Sequence, residues 1–166
     1  TLVVANLPYN VSVPVLLHVL ARFPSVRGGL VMVQSEVADR LVAGPGSRTY
    51  GVPSVKLAWY CAARRVGSVP PTVFWPVPNV DSGLVELLRR EPPATTASRE
   101  RVFAVVDAAF SQRRKMLRSA LAGVFGSSAA TSAALESVGV DPQARGEVLG
   151  IADFVRIAEV VPGPVG

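Results

Sequence analysis

Short apolar runs rich in β-branched residues alternate with helical patterns over the first 90 residues. The run at 1–5 predicts a strand buried on both faces, and a second buried strand is expected at 30–33, after a turn at Gly28 and Gly29. Further strands are predicted at 64–69 and 83–88, and helices at 12–23, 35–43 and 54–63. This alternation indicates an α/β fold with a largely parallel sheet, in which ligands bind beyond the carboxyl ends of the strands.

A change of composition at 91–98 separates this half from the rest of the chain. The segment Glu91-Pro-Pro-Ala-Thr-Thr-Ala-Ser98 has the prolines and small polar residues of a linker. Every later pattern is helical, with helices predicted at 99–110, 114–125, 131–138 and 151–160. We therefore expect a sheet-containing domain at 1–90, a linker at 91–98 and a small all-α domain at 99–166.

The charge distribution points to a polyanionic partner. The chain has 17 Lys and Arg against 12 Asp and Glu, which gives a net charge of +5. No acidic residue lies between Asp107 and Glu136, but four basic residues do: Arg113, Arg114, Lys115 and Arg118. Such segregation is typical of a nucleic-acid-binding surface, and a solvated helix face is the alternative.

Composition also excludes several classes of protein. Hydrophobic residues make up 49% of the chain, too many for a disordered polar tail, and the single cysteine, Cys61, excludes a disulfide scaffold. The most apolar stretch, 2–21, is interrupted by asparagines and prolines, so we expect no membrane span and no signal peptide. No group of histidines, cysteines and acids has zinc-binding spacing, so no metal site is predicted.

The loop after the first predicted strand has residues suited to chemistry on the amino group of adenine. The exocyclic N6 is a poor nucleophile because its lone pair is delocalised into the ring. The Asn6 side-chain oxygen and the Leu7 carbonyl can accept hydrogen bonds from this amino group, Pro8 stiffens the loop, and Tyr9 offers a face on which the base can stack. An ordinary strand-to-loop turn is the alternative.

A second aromatic segment, Phe74-Trp-Pro-Val-Pro78, is too rich in proline for the interior of a strand. A base held between Tyr9 and Phe74 would be stacked on both of its faces. Core packing is the alternative role for Phe74 and Trp75.

Motifs along nearly the whole chain support this chemistry. They are Asn6-Leu-Pro-Tyr-Asn10, Gln34-Ser-Glu-Val37, Tyr50-Gly51, Phe74-Trp-Pro-Val-Pro78 with Val80-Asp-Ser82, Phe110-Ser-Gln-Arg-Arg-Lys115 with Leu117-Arg118, and Arg145-Gly-Glu147. In this order they resemble the motifs of the small-subunit rRNA adenine dimethyltransferase family of the KsgA type. The resemblance implies the carboxyl-terminal half of a class I (Rossmann-like) methyltransferase sheet, followed by a small all-α domain that meets rRNA.

The resemblance also implies roles for particular residues. Asn6, Leu7, Pro8, Tyr9 and Phe74 would be catalytic, and Asn6 would also lie beside the cofactor. Contacts with RNA would be made by Arg113, Arg114, Lys115 and Arg118. The cofactor would be S-adenosyl-L-methionine and the reaction the dimethylation of adenine N6. The partner would be small-subunit rRNA in the 30S precursor, and the protein a cytoplasmic monomer without membrane contact.

The family's Gly-rich cofactor loop and the two acids that follow its next strands have no counterpart in this chain. We therefore expect that the chain begins at about the fourth strand of the methyltransferase sheet and that these features lie upstream. Two other functions remain open. One is a large-subunit rRNA methyltransferase of the macrolide-resistance type, and the other is a non-catalytic rRNA-binding module.

Overall fold

The computed structural model describes residues 1–77 and 80–163, and the chain divides into two compact units. The first unit comprises Thr1–Ala43 and Lys56–Pro92. The second comprises Gly44–Val55 and the described residues from Pro93 onwards. The division after Pro92 falls within the segment interpreted as a linker, whereas nothing in the sequence indicated that 44–55 would join the helical part. Pro78, the last residue of the aromatic motif, lies outside the described residues.

The first unit is built on a four-stranded sheet. Its strands, in the spatial order β1-β2-β4-β3, are β1 (Leu2–Asn6), β2 (Gly28–Gln34), β3 (Cys61–Val69) and β4 (Ser82–Arg89). The helices between them in sequence are α1 (Ser12–Arg22), α2 (Ser35–Val42) and α3 (Val52–Tyr60). Helix α2 packs against β2, β3 and β4, and Val31, Val33 and Val85 in these strands are completely buried.

The expectation of a largely parallel sheet is wrong for the pairing of the strands. Only β1 and β2 pair in parallel, while β4 is antiparallel to both β2 and β3. Parallel neighbours need a crossover, usually a helix, and the described residues between β3 and β4 form only a 3₁₀ turn at Pro71–Val73. The pairing directions still give β1, β2 and β3 one common orientation. Their carboxyl ends and the start of β4 therefore meet at one edge of the sheet, which we call the carboxyl edge.

Strand β1 is an edge strand rather than a strand buried on both faces. Its ladder with β2 runs from Leu2↔Gly28 to Asn6↔Met32, and this is its one pairing in the described part of the chain. Leu2 and Val4 are 70% and 80% exposed. An apolar run predicts burial, but the run alone does not say what packs over each face of the strand.

Gly28 and Gly29 lie inside β2 and not in the predicted turn. A Cβ atom on Gly29 would lie 2.1 Å from the carbonyl oxygen of Val3, and one on Gly28 would lie 2.5 Å from the carbonyl oxygen of Leu87. The glycines are therefore required by the close approach of the strands on both sides.

The described part of the second unit contains the remaining helices. They are α4 (Arg99–Ser111), α5 (Leu117–Ala120), α6 (Ala122–Phe125), α7 (Ser128–Ser137) and α8 (Ile151–Glu159). Helix α4 begins after Ser98, whose side-chain oxygen accepts a hydrogen bond of 3.2 Å from the backbone N–H of Arg101. Helix α4 packs against α5 and α8, around a core that includes the completely buried Phe154 and Ile157.

Two predicted helices have different bounds in the structure. The helix predicted at 54–63 is α3, which ends before Cys61, because the residues from Cys61 pair with β4. The single helix predicted at 114–125 is instead a turn at 112–115 followed by the short helices α5 and α6, which meet at Leu121. Apolar periodicity locates such segments but does not fix where tertiary pairing ends them.

Candidate functional site

The loop Asn6–Tyr9 leaves the sheet at its carboxyl edge, at the end of β1. The backbone N–H of Leu7 donates a hydrogen bond of 3.0 Å to the carbonyl oxygen of Met32, and the Leu7 side chain is only 7% exposed. Pro8 follows in an extended conformation with φ −59° and ψ 137°. A buried side chain and a backbone hydrogen bond therefore anchor the loop at Leu7.

Two hydrogen-bond acceptors in this loop are available to a ligand. No described residue forms a hydrogen bond with the side-chain amide of Asn6 or with the carbonyl oxygen of Leu7. Both groups belong to residues that line an open hollow of about 360 Å³ at the carboxyl edge. We call this the aromatic hollow, and its lining residues are Asn6, Leu7, Pro8, Tyr9, Phe74, Trp75 and Pro76.

Tyr9 forms one wall of the aromatic hollow. Its hydroxyl lies 3.4 Å from the hydroxyl of Ser82, which is completely buried at the start of β4. This contact joins the tip of the Tyr9 side chain to the sheet and leaves the ring half-buried beside the hollow. A weak hydrogen bond of this length orients the ring and adds little to stability.

Another part of the lining comes from the connection between β3 and β4. Backbone hydrogen bonds from Val73 to Pro70 (3.3 Å) and from Phe74 to Pro71 (3.1 Å) order the 3₁₀ turn that precedes the rings. Phe74 is half-buried, whereas Trp75 is 94% exposed. Core packing is therefore excluded as the role of Trp75.

The structure thus brings together the five residues that the sequence singled out for catalysis. Asn6, Leu7, Pro8, Tyr9 and Phe74 all line the aromatic hollow, although β1 and the β3–β4 connection are far apart in sequence. The lining supplies hydrogen-bond acceptors and three aromatic side chains, those of Tyr9, Phe74 and Trp75. The catalytic and cofactor-binding roles of these residues remain predictions.

A second hollow, of about 400 Å³, lies in the helical unit. We call it the cationic hollow, and its lining residues are Arg114, Lys115, Met116, Arg118, Ser119, Gln143 and Arg145. Backbone hydrogen bonds from Leu117 to the Ala144 carbonyl (2.8 Å) and from Arg118 to the Pro142 carbonyl (3.1 Å) bring the segment at 142–145 beside α5. Its four basic side chains are exposed and form no ion pair with any described residue.

Arg113 is placed differently from the other three predicted RNA-binding residues. Its guanidinium donates hydrogen bonds to the carbonyl oxygens of Arg48 (3.1 Å) and Tyr50 (2.8 Å) and lies 3.7 Å from a carboxylate oxygen of Glu147. Arg113 therefore holds the segment 44–55 within the second unit. Fewer of its donors are therefore available for the predicted contact with RNA.

Tyr50 belongs to the same framework and has the most perturbed acidity among the residues described. Its hydroxyl donates a hydrogen bond of 2.5 Å to the carbonyl oxygen of Leu149, and its ring packs edge-on against Phe110. Burial, with the nearby negative charge of Asp153, raises the pKa of Tyr50 to about 12. The neutral phenol is a structural hydrogen-bond donor, and Tyr50 is not among the lining residues of the cationic hollow.

The described residues contain no group of three or more histidines, cysteines or acids that could hold a metal ion. Within the same ranges, none of the helices combines the length and the apolar character needed to cross a membrane.

The structure adds Arg145 to the predicted set of basic residues and decides between the two roles predicted for Trp75. Arg145 lies 27 positions after Arg118 in the sequence, and only the backbone hydrogen bonds at 142–144 bring it into the cationic hollow. Trp75 was assigned either stacking or core packing, and its exposure decides against the core. No sequence signal distinguishes an exposed ring from a buried one within a proline-rich loop.

Comparison with known proteins finds a family model and similar proteins that match nearly the whole chain. The family model for ribosomal RNA adenine dimethylase matches residues 1–162. Ribosomal RNA small subunit methyltransferase A of Kineococcus radiotolerans is 73% identical over 163 residues, which cover 98% of this chain and 54% of that protein. The protein of the same name from Thermobifida fusca is 67% identical over 162 residues, covering 98% and 56%. The chain therefore spans about half the length of the curated relatives that it matches.

Two solved structures share the fold. A dimethyladenosine transferase from Plasmodium falciparum matches with a TM-score of 0.80 at 21% identity, over 94% of this chain and 64% of that one. The 23S rRNA methyltransferase ErmE matches with a TM-score of 0.67 at 24% identity, over 95% of this chain and 64% of that one. At such low identity the likeness concerns the fold alone, and it confirms the predicted α/β, Rossmann-like class.

Proposed function

The chain belongs to the ribosomal RNA adenine dimethylase family, and we propose that it forms part of an enzyme that dimethylates adenine N6 in small-subunit rRNA. The observation that carries the proposal is the aromatic hollow. It places the acceptor groups of Asn6 and Leu7, which have no partner among the described residues, beside the rings of Tyr9 and Phe74.

In this proposal, Asn6 and Leu7 hold the amino group of the target adenine. The Asn6 side-chain oxygen and the Leu7 carbonyl each accept one N–H of the amino group. This arrangement favours a pyramidal nitrogen, whose lone pair is then free to point at a methyl donor. The backbone hydrogen bond from Leu7 to Met32 keeps the backbone that carries both acceptors in place, so little backbone reorganisation is needed during transfer.

Tyr9 and Phe74 hold the base itself. An adenine within structured RNA must leave its stack to reach a hollow, and aromatic side chains compensate for the lost neighbours. The two residues line one hollow from different segments, so the base can enter between them. Pro8 and Pro76 restrict the backbone next to each ring and so limit the entropy lost on binding.

The proposed methyl donor is S-adenosyl-L-methionine, which supplies an electrophilic methyl group when bound. Asn6 is the residue of this chain that fits beside it, because it lies at the carboxyl edge where Rossmann-like sheets bind cofactors. As the new N–C bond forms, the bond between that methyl group and the sulfur of the donor would break and leave S-adenosyl-L-homocysteine, and the nitrogen would release one proton to solvent for each methyl group received.

An asparagine at position 6 also suits the second methyl transfer. The monomethylated amine has one remaining N–H, which either of the two acceptors can hold. The neutral side-chain amide of Asn6 can hold the substrate nitrogen through a single N–H, so the nitrogen need not keep both of its hydrogens. The same site can therefore act on adenine and then on its monomethyl product.

The helical unit, with residues 99–166 as its main part, is proposed to bind the rRNA through the cationic hollow. Arg114, Lys115 and Arg118, with Arg145, present four exposed positive charges that match RNA phosphates in sign and chemistry. Arg113 supports the same surface. We propose the 30S precursor as the natural substrate, met by a monomer in the cytoplasm, where ribosomal subunits assemble.

A methylation assay tests the proposal. The complete protein, as its gene encodes it, is incubated with labelled S-adenosyl-L-methionine and with either small-subunit or large-subunit rRNA particles, and the nucleosides are analysed by mass spectrometry. We expect N6,N6-dimethyladenosine in small-subunit rRNA only. Dimethyladenosine in large-subunit rRNA would favour the macrolide-resistance type of enzyme, and RNA binding without methyl incorporation would favour a non-catalytic module.

A matched pair of variants tests the aromatic hollow within that assay. Phe74→Ala removes one wall and should lower the transfer rate, whereas Phe23→Ala removes an exposed phenylalanine outside the lining and should not. Equal rates for the two variants would contradict the stacking role of Phe74.

A further inference from the structure

Trp75 carries an indole that the proposed chemistry on adenine does not use. It is 94% exposed, the largest exposed fraction among the large hydrophobic side chains described, and no ring or hydrogen-bond contact of its side chain is formed with any described residue. Tryptophan is highly buried on average, and an indole held in water at the edge of a binding hollow is typical of an interaction surface.

The position of Trp75 limits what it can bind. It is one of the residues that line the aromatic hollow, and it follows Phe74 directly in the sequence. The 3₁₀ turn before it is ordered by two backbone hydrogen bonds, and Pro76 follows directly. After this connection, the backbone N–H of Ser35 donates a hydrogen bond of 2.8 Å to the Asp81 carbonyl, which fixes the returning chain. The indole is therefore presented from an ordered base at the mouth of the hollow.

We infer that Trp75 stacks on a nucleotide that flanks the target adenine in the RNA chain, an inference that rests on the proposed function. When one base enters the aromatic hollow, its neighbour in the strand loses a stacking partner at the mouth of the same hollow. An exposed ring placed there replaces that partner. Because every base has a π-face, this contact tolerates different flanking sequences and adds affinity rather than sequence specificity.

The two tryptophans of the chain make the inference measurable by fluorescence. The other, Trp59, is 7% exposed and lies in α3, away from the residues that line the hollow. Stacking of a base on Trp75 should quench the exposed indole and leave Trp59 unchanged. Trp75→Phe should remove the quenching but keep most of the affinity, because it retains a ring.

The decisive experiment is a binding cycle with the complete protein and three RNA oligonucleotides. One carries the target adenine in its natural strand, and the other two have an abasic residue on its 5′ or its 3′ side. Trp75→Ala should weaken binding of the intact RNA by about 5- to 150-fold, the range expected for one stacked base. One of the two abasic RNAs lacks the base that would stack on Trp75, and for that RNA Trp75→Ala should leave the affinity unchanged.

The outcomes separate this inference from the proposed function. If the wild-type protein binds and methylates the intact RNA without quenching, and Trp75→Ala binds it equally well, the inference is wrong and the function stands. If Trp75→Ala weakens binding equally for all three oligonucleotides, Trp75 does not stack on a flanking base. If the wild-type protein neither binds nor methylates any of them, the proposed function fails first.

Discussion

Salt dependence of RNA binding offers the sharpest test of the cationic hollow. Its four cations, Arg114, Lys115, Arg118 and Arg145, are exposed and unpaired among the described residues. If each neutralises one phosphate, the logarithm of the association constant should fall with the logarithm of salt concentration with a slope of about −2.8 to −3.6. The shallower slope of about −2.8 applies to a single strand, and the steeper slope of about −3.6 applies to a duplex.

Arg114→Gln removes one of these charges while keeping much of the side chain's length. The slope should become less steep by about 0.7 to 0.9. Between 50 and 200 mM salt, a wild-type loss of about 150-fold in duplex affinity would shrink to about 40-fold. The assay is a fluorescence-anisotropy titration of labelled rRNA fragments at four or more salt concentrations.

Arg113→Gln is the matched control, because the two arginines are adjacent in sequence but differ in their contacts. Arg113 donates to the carbonyl oxygens of Arg48 and Tyr50, so its loss should lower the free energy of unfolding by about 1–3 kcal/mol. Arg113→Gln should change the salt slope by less than half as much as Arg114→Gln does. An unchanged slope for Arg114→Gln, or equal slopes for the two variants, would refute this reasoning.

Two further predictions concern stability. The pKa of Tyr50 in the folded state is raised to about 12 from an ordinary value of 10.0, so the folded state holds this proton more tightly and stability should fall as pH rises from about 10 to 12. Tyr50→Phe should remove that step in pH-dependent denaturation and should cost about 1–3 kcal/mol, because the Leu149 carbonyl loses its hydrogen bond. A step that survives in Tyr50→Phe would contradict the assignment. Gly29→Ala should lower the melting temperature clearly, because the added Cβ would lie 2.1 Å from a backbone oxygen of β1. The control is Gly123→Ala in α6, where no atom lies within 4 Å of the added Cβ, and this substitution should stabilise the protein by about 0.5–1 kcal/mol. A melting temperature for Gly29→Ala equal to that of the wild type would contradict the close approach of the strands.

Much of the fold could be predicted from local pattern. The strand at 83–88 and the helices at 35–43 and 99–110 lie within one or two residues of their bounds in the structure, because each has a clear period and a clear end. The loop at Asn6 was placed correctly after a strand, and the fold class followed from the alternation of elements. These features depend on residues that are close together in sequence.

The features that could not be predicted depend on residues far apart in sequence. The apolar residues of β1 look buried in sequence, but Leu2 and Val4 are exposed, because burial depends on what packs over that face of the sheet. Gly28 and Gly29 look like a turn, but the carbonyl groups of two adjacent strands require glycine there. The direction of β4 depends on the length and content of one connection rather than on any residue within the strand.

The candidate site shows the same division. The acceptors of Asn6 and Leu7 could be identified from the chemistry of the loop itself. The different placements of Arg113 and Arg114 could not, because adjacent cations have the same signal in sequence and different neighbours in the structure. Arg145 joins the cationic hollow through backbone hydrogen bonds that no motif records.

The most direct test of the central claim compares Asn6→Ala with Asn10→Ala in the complete protein. Asn10 is an exposed asparagine of the same segment that does not line the aromatic hollow. Single-turnover methyl transfer to small-subunit rRNA and RNA affinity are measured for both variants and for the wild type. The account predicts that Asn6→Ala slows transfer by about 100-fold or more while RNA affinity is retained, and that Asn10→Ala changes neither. Transfer by Asn6→Ala at nearly the wild-type rate would contradict the claim that its amide holds the reacting amino group.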